Sequence, residues 1–118
     1  MLTLSEGAKV FVNLTPTDMR KSINGLSAMI LDVFSKAPQS KHLFLFYNKT
    51  RNKVKLIFWD KNGFVLYYKQ MEKGKFKLNH RLKDGVLEIN ENELQWLLAG
   101  LDFQRMSKFN ELNYETYY

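Results

Sequence analysis

Apolar positions near the two ends of the chain recur with a helical period. Residues 19, 23, 26, 29 or 30, and 33 fall at steps of three and four, which predicts one buried face of a helix that ends near Lys36. Thr15 can cap this helix and Pro16 suits the first helical position, so we predict that it begins at Thr15–Asp18. A second cap pattern, Asn90 with Glu93, precedes leucines at 94, 97, 98 and 101 and predicts a C-terminal helix.

Short apolar runs bounded by turn residues predict the strands of a sheet. These runs span residues 9–13, 42–47, 53–60, 64–70 and 86–89. The third and fourth flank an Asn-Gly pair, which is a strong hairpin signal, so we predict a turn centred on Asn62 and Gly63 with Asp60 opposite Val65. The pattern as a whole predicts an α+β fold: a small antiparallel sheet of four to five strands packed with an N-terminal and a C-terminal helix.

Alternation along this hairpin separates two faces of the sheet. One face is mainly apolar, with Lys69 intruding, and the other mixes charge with aromatic rings: Lys53, Lys55, Ile57, Trp59, Leu66 and Tyr68. The mixed face suits nucleic acid, because lysines neutralise phosphates while Trp and Tyr rings stack on exposed bases. It also suits a protein partner. A purely structural alternative is that Trp59 and Tyr68 pack under a helix while the lysine stems reach out to water.

The length of the chain predicts the number of domains, and its charge indicates the class of partner. The 118 residues, 45% of them hydrophobic, fit one domain with a real core, which we place at residues 1–106 and follow with a flexible tail at 107–118. The formal charge of +6 favours contact with polyanions. Basic residues flank the hairpin on both sides: Lys49, Arg51 and Lys53 before it, and Lys69, Lys73, Lys75, Lys77 and Arg81 after it. Arg20 and Lys21 lie near the predicted positive end of the first helix, which indicates either an external anion or two solvated charges that the helix tolerates at small cost.

The residues give little support for an enzyme. There is no cysteine, and His42 and His80 are far apart without the spacing of metal ligands. The glycines form neither a phosphate-binding loop nor a dinucleotide fingerprint. We therefore expect no catalysis, metal or cofactor. No signal peptide or transmembrane run is recognisable, so we expect a cytoplasmic protein without membrane contact.

Several short motifs, in their order and spacing, resemble the TnpB accessory proteins of IS66-type insertion sequences. They are Thr17–Lys21 with Gly25-Leu26, Leu43–Phe46, Val54–Leu56 with Trp59-Asp60, Gly63, Tyr68-Lys69, Glu72–Phe76 and Leu94–Asp102. The chain departs from the family where it has Ser22, Asn24 and Phe58 in place of the usual Gly, Asp and a second Trp. The resemblance implies a protein encoded beside a separate DDE-type transposase, which cuts the strands while the accessory protein supports transposition.

Two functions follow as hypotheses. The first is a non-catalytic factor for transposition that binds DNA, including the element ends, through Arg20, Lys21, Arg51, Lys53, Lys55, Trp59, Tyr68, Lys69, Lys73 and Lys75. The second is a protein-interaction module that binds the transposase or a second copy of itself. It would use the aromatic face of the hairpin or the segment Asp18–Arg20.

Overall fold

A computed structural model describes residues 4–78 and 85–108 of the chain. The elements in chain order are β1 (Val10–Asn13), α1 (Ile23–Phe34), β2 (Leu43–Tyr47), β3 (Lys53–Asp60), β4 (Gly63–Gln70), β5 (Val86–Ile89) and α2 (Glu91–Leu98). Residues 103–108 add a short helical segment. The described residues do not include His80 and Arg81. They also leave out residues 109–118, which are most of the expected tail. Within the described part, no helix is long and apolar enough to cross a membrane.

The five strands form one sheet in the order β4-β3-β2-β1-β5, which confirms the α+β class. Three of the strand pairs are antiparallel, as expected. The pair β1–β2 is parallel, because α1 carries the chain back along the sheet before β2 begins. The sheet is therefore mixed.

Each face of the sheet carries its own buried cluster. In β2, Leu43, Leu45 and Tyr47 point to the α2 face, whereas Phe44 and Phe46 point to the α1 face. Phe34 of α1 packs on both phenylalanines, with ring centroids 4.9 and 5.5 Å apart. A strand that is buried on both faces explains why residues 43–47 form a continuous apolar run.

The sequence predicted α2 well at its start. The Asn90 side chain accepts a hydrogen bond from the Glu93 N–H at 2.8 Å, and the Glu93 side chain accepts one from the Asn90 N–H at 3.0 Å. The helix ends at Leu98, and Gly100 follows with φ of +82°. The N–H of Gly100 then bonds to the Leu97 carbonyl and that of Leu101 to the Trp96 carbonyl, a Schellman ending that needs a residue such as glycine at this point.

The predicted start of α1 was wrong. The helix begins at Ile23, eight residues after Thr15, and residues 14–22 form an ordered loop. Tertiary bonds hold this loop away from helical geometry: Thr17 N–H donates to the Tyr47 carbonyl at 2.8 Å, and the ammonium of Lys55 binds carbonyls farther along. Thr-Pro-Thr-Asp forms loop turns as readily as a helix cap, so local sequence could not decide between them.

The β3–β4 hairpin is confirmed, but its turn was placed one residue too late. Asp60 pairs with Gly63, so Lys61 and Asn62 form the turn and Lys61 takes φ of +53°. The observed register sets Trp59 opposite Phe64, with ring centroids 5.0 Å apart. This cross-strand contact favours the observed register over a turn at Gly63. Since the pairing moves by two residues, every side chain stays on its predicted face.

Candidate nucleic-acid interface

The topology gathers several basic loops at one end of the sheet. Because β1 and β2 are parallel, both end where β3 and β5 begin and where β4 finishes. The loops there are residues 14–22, 48–52 and 71–78. We call this the basic end, and its described cationic residues are Arg20, Lys21, Lys49, Arg51, Lys53, Lys73, Lys75 and Lys77. The carboxylates of these loops are Asp18 and Glu72.

An open cleft of about 590 Å³ lies at the basic end. Its walls come from the loop after β1, the loop after β2, the first residue of β3 and a tyrosine of β4. The lining residues are Pro16, Thr17, Asp18, Met19, Arg20, Asn48, Lys49, Thr50, Lys53 and Tyr68. Arg20, Lys49 and Lys53 thus meet around one concave surface, although they come from three segments of the chain.

Lys55 holds in place the loop after β1, residues 14–22, which forms one wall of the cleft. Its side chain is only 7% exposed, and its ammonium donates hydrogen bonds to the carbonyls of Met19 at 2.8 Å and Lys21 at 2.7 Å. The hydroxyl of Tyr47 donates to the Leu14 carbonyl at the other end of the same loop. Buried polar groups need such partners, so the loop is tied down on both sides.

Arg20 projects into solvent at the cleft edge and pairs with Asp18. Its Nη2 lies 2.7 Å from Asp18 Oδ2 and its Nε 3.1 Å from Oδ1, and its side chain is 91% exposed. The side-chain hydrogen bonds from Arg20, followed by the one from its backbone N–H, lower the pKa of Asp18 to about 2. Asp18 therefore stays ionised and holds the guanidinium beside the cleft.

Asn48 organises the loop after β2, residues 48–52, which forms another wall of the cleft. Its Oδ1 accepts hydrogen bonds from the N–H groups of Asn52 and Lys53 at 3.1 and 3.0 Å, and its Nδ2 donates to Asn52 Oδ1 at 2.7 Å. Arg51 takes φ of +58° in this turn. These bonds present Lys49 and Thr50 at the tip of a closed loop.

The loop after β4 is fastened to the same turn. Arg51 donates from Nη1 to the Leu78 carbonyl at 2.8 Å, and its own carbonyl accepts the N–H of Phe76 at 2.7 Å. The side chains of Phe76 and Leu78 are buried in the α2 core, whereas Lys73 and Lys75 are exposed. The two lysines therefore lie at the basic end, outside the set of residues that line the cleft.

Tyr68 supplies the aromatic surface of the cleft. It faces Lys55 across β3 and β4, and the Lys55 ammonium lies 5.0 Å from its ring centroid. Even so, the tyrosine remains 49% exposed. A cation on the inner side of a ring holds the ring in place while its outer part stays open.

The expected contact residues divide into two groups. Arg20, Lys53 and Tyr68 line the cleft, whereas Lys21, Arg51, Lys73 and Lys75 lie in loops of the basic end without lining it. Lys49 also lines the cleft, although we did not count it among the contact residues. Its position between Asn48 and Asn52, two residues typical of tight turns, is the signal that could have found it.

Three of the expected contact residues lie outside the cleft. Lys55 is buried and bonded to two carbonyls, so its charge does not face an outside ligand. The ammonium of Lys69 donates to the Leu98 carbonyl at 2.6 Å, at the negative end of α2. Trp59 lies six residues along β3 from Lys53, about 20 Å away toward the opposite end of the sheet, and packs on Phe64. None of these three side chains lines the cleft.

Within the described residues, no group of three His, Asp or Glu side chains is placed to hold a metal ion. Among the described residues, the ion pairs are Lys9 with Glu88 and Arg20 with Asp18. Lys49 and Lys53 therefore carry charges that no described carboxylate offsets by direct contact. The cleft is suited to binding an anion.

Comparison with known proteins identifies relatives of this chain. Residues 8–108 match the profile of the IS66 Orf2 like protein family. The uncharacterized protein y4jC of Sinorhizobium fredii is 33% identical over 108 residues, which cover 92% of both chains. The uncharacterized protein y4hO of the same organism is 27% identical over 104 residues, covering 88% of this chain and 90% of the relative. No solved structure gives a significant match.

Proposed function

Because the chain belongs to the IS66 Orf2-like family, whose members are accessory proteins associated with transposition, we propose that it supports transposition by binding DNA without catalysis of its own. The DNA phosphates bind at the basic end, with Arg20, Lys49 and Lys53 of the cleft as the central contacts. Lys21, Lys73 and Lys75, exposed in other loops of the basic end, add to its positive charge. The ends of the mobile element are the DNA that this role requires.

The convergence of three cationic side chains on one cleft is the observation that carries the proposal. Phosphate contacts of this kind position a protein on DNA without reading its sequence. Each contact releases condensed counterions, so the affinity falls steeply as salt is added. The excess of positive over negative side chains at this end also speeds the encounter with a polyanion.

A salt titration with labelled duplex DNA, followed by fluorescence anisotropy, tests the proposal. We expect log affinity to fall linearly with log salt for the wild-type protein. The double variant Lys49→Gln/Lys53→Gln removes two contacts, so its slope is shallower by about 1.8.

The matched control is Lys36→Gln/Lys61→Gln, which removes the same charge from exposed positions at the opposite end of the sheet. Its slope stays that of the wild type. A slope near zero for the wild type, or equal losses in the two double variants, would contradict binding at the basic end.

A second candidate function, binding of the element-encoded transposase, is favoured by the opposite end of the hairpin. Trp59 and Phe64 are only partly buried there, on the same face of the sheet, and β4 is an edge strand. Aromatic residues dominate protein interfaces, so Trp59→Ala weakens such a complex more than Lys53→Ala, and the complex survives moderate salt. Unchanged co-purification of Trp59→Ala with the transposase would exclude this surface.

A further inference from the structure

We infer that the cleft takes one unpaired nucleotide of a single-stranded nucleic acid, with its base against the ring of Tyr68 and its flanking phosphates at Arg20, Lys49 and Lys53. This inference rests on the proposed function, since it assigns a ligand class to the same site. It adds a preference for single strands that phosphate contacts alone do not produce.

The first support is the state of the tyrosine ring. Lys55 holds Tyr68 from the inner side, at 5.0 Å from the ring centroid, and 49% of the tyrosine is open to solvent. The ring is thus placed before any ligand arrives, which lowers the entropy cost of binding. Stacking on such a ring tolerates every base, because each base has a π face.

The second support is the shape of the site. The cleft is open to solvent, and its volume of about 590 Å³ is large enough to admit one base. Proteins that read duplex DNA insert a helix or a two-stranded ribbon into the major groove. The described part of the basic end has neither, because it consists of loops around the cleft and the turn of the β3–β4 ribbon is at the other end of the sheet. A base that is stacked and paired within a duplex cannot reach the ring of Tyr68 on the wall of the cleft.

The third support concerns the polar groups that line the cleft. Thr17 Oγ1 accepts a hydrogen bond from Asn13 Nδ2 at 3.4 Å, and Thr50 Oγ1 donates one to Asn52 Oδ1 at 2.8 Å. The Asn48 amide is also bonded within its own loop. These groups are committed to holding the cleft together rather than to reading base edges, so the site binds single strands with little sequence preference.

Two labelled octanucleotides test the inference: oligothymidylate and an abasic strand of the same phosphate count. Wild-type protein binds oligothymidylate about tenfold more tightly than the abasic strand. Tyr68→Leu removes this difference while the salt slope stays unchanged, because the phosphate contacts remain. Tyr68→Phe keeps the ring and keeps the difference, and circular dichroism checks that both variants are folded.

The outcomes separate this inference from the proposed function. If both strands bind equally to the wild type with a steep salt slope, phosphate binding stands and the nucleotide site is excluded. If Tyr68→Leu binds oligothymidylate as well as the folded Tyr68→Phe does, stacking on this ring is excluded too. If neither strand nor duplex binds at low salt, the proposed function and the inference both fail.

Discussion

Lys55 and Tyr68 are directly paired across β3 and β4, yet one side chain is 7% exposed and the other 49% exposed. The lysine lies beneath the ring and turns inward, where it binds the carbonyls of the loop after β1. The tyrosine covers it and faces the cleft. One cross-strand pair therefore joins the packing of the α1 face to the surface that we propose binds DNA.

Replacing Lys55 with methionine tests this structural role. The variant keeps the apolar stem but leaves the carbonyls of Met19 and Lys21 without their partner, so we expect the free energy of unfolding to fall by about 2 kcal/mol. Urea denaturation measures the change. Lys53→Met is the matched control, because Lys53 lies on the same strand face but its ammonium has no described hydrogen bond, and it shifts stability by no more than about 0.5 kcal/mol. Equal losses in the two variants would show that the two carbonyl bonds contribute nothing specific.

The sequence predicted the elements whose signals are local. Alternation along β3 placed Val54 and Leu56 on one face and Lys55 and Ile57 on the other, and the Asn90 and Glu93 pair located the start of α2. These features depend on period and on hydrogen bonds between near neighbours, both of which can be read directly from the chain.

The chemical role of Lys55 could not be predicted in this way. A lysine on an alternating strand gives the same pattern whether its ammonium meets a phosphate or the backbone of a distant loop. Distant contacts of this kind also explain the wrong start of α1, because hydrogen bonds with Lys55 and with the Tyr47 carbonyl fix residues that would otherwise suit a helix. Only the tertiary arrangement shows that Lys49 and Arg20 line one cleft.

The ion pair at the cleft edge sets the titration of Asp18. In Arg20→Gln we expect the pKa of Asp18 to rise from about 2 toward its ordinary 3.8, since the charged donor that favours the carboxylate is gone. Because the folded-state pKa is depressed, the pair contributes stability above pH 3.8 and loses it as the pH falls through about 2. Carbon NMR of the side-chain carboxyl follows the titration directly. Lys21→Gln is the control, because Lys21 acts only through its charge at a distance and its loss moves the pKa much less. An unchanged Asp18 pKa in Arg20→Gln would contradict the pairing.

His42 is expected to make the fold sensitive to mild acid. Burial, followed by the charges of Lys36, Lys41 and Lys9, lowers the pKa of His42 below 6.5, and its Nδ1 accepts the N–H of Lys9 at 3.0 Å. Only the neutral ring can accept that bond, so the contribution to stability is complete above pH 6.5 and is lost as the pH falls through the folded-state pKa. Nitrogen NMR of the imidazole measures this pKa, and Lys36→Gln should bring it closer to 6.5. Titration of His42 at or above 6.5 in the wild type would disprove the expected acid sensitivity.

Asn48 provides a way to disturb the cleft without changing its charge. Asn48→Ala removes the oxygen that accepts the N–H groups of Asn52 and Lys53, so hydrogen exchange at these two amides should accelerate while the paired amides of β3 stay protected. We expect the free energy of unfolding to fall by about 1 kcal/mol, the size of a typical side-chain hydrogen bond. The loop that carries Lys49 is then no longer closed, so affinity for DNA should fall at every salt concentration although the net charge is that of the wild type. Asn62→Ala is the matched control, because Asn62 is exposed in the β3–β4 turn at the opposite end of the sheet. If Asn48→Ala frees the two amides but binds DNA as tightly as the wild type, the geometry of this loop does not matter for binding and only its charge does.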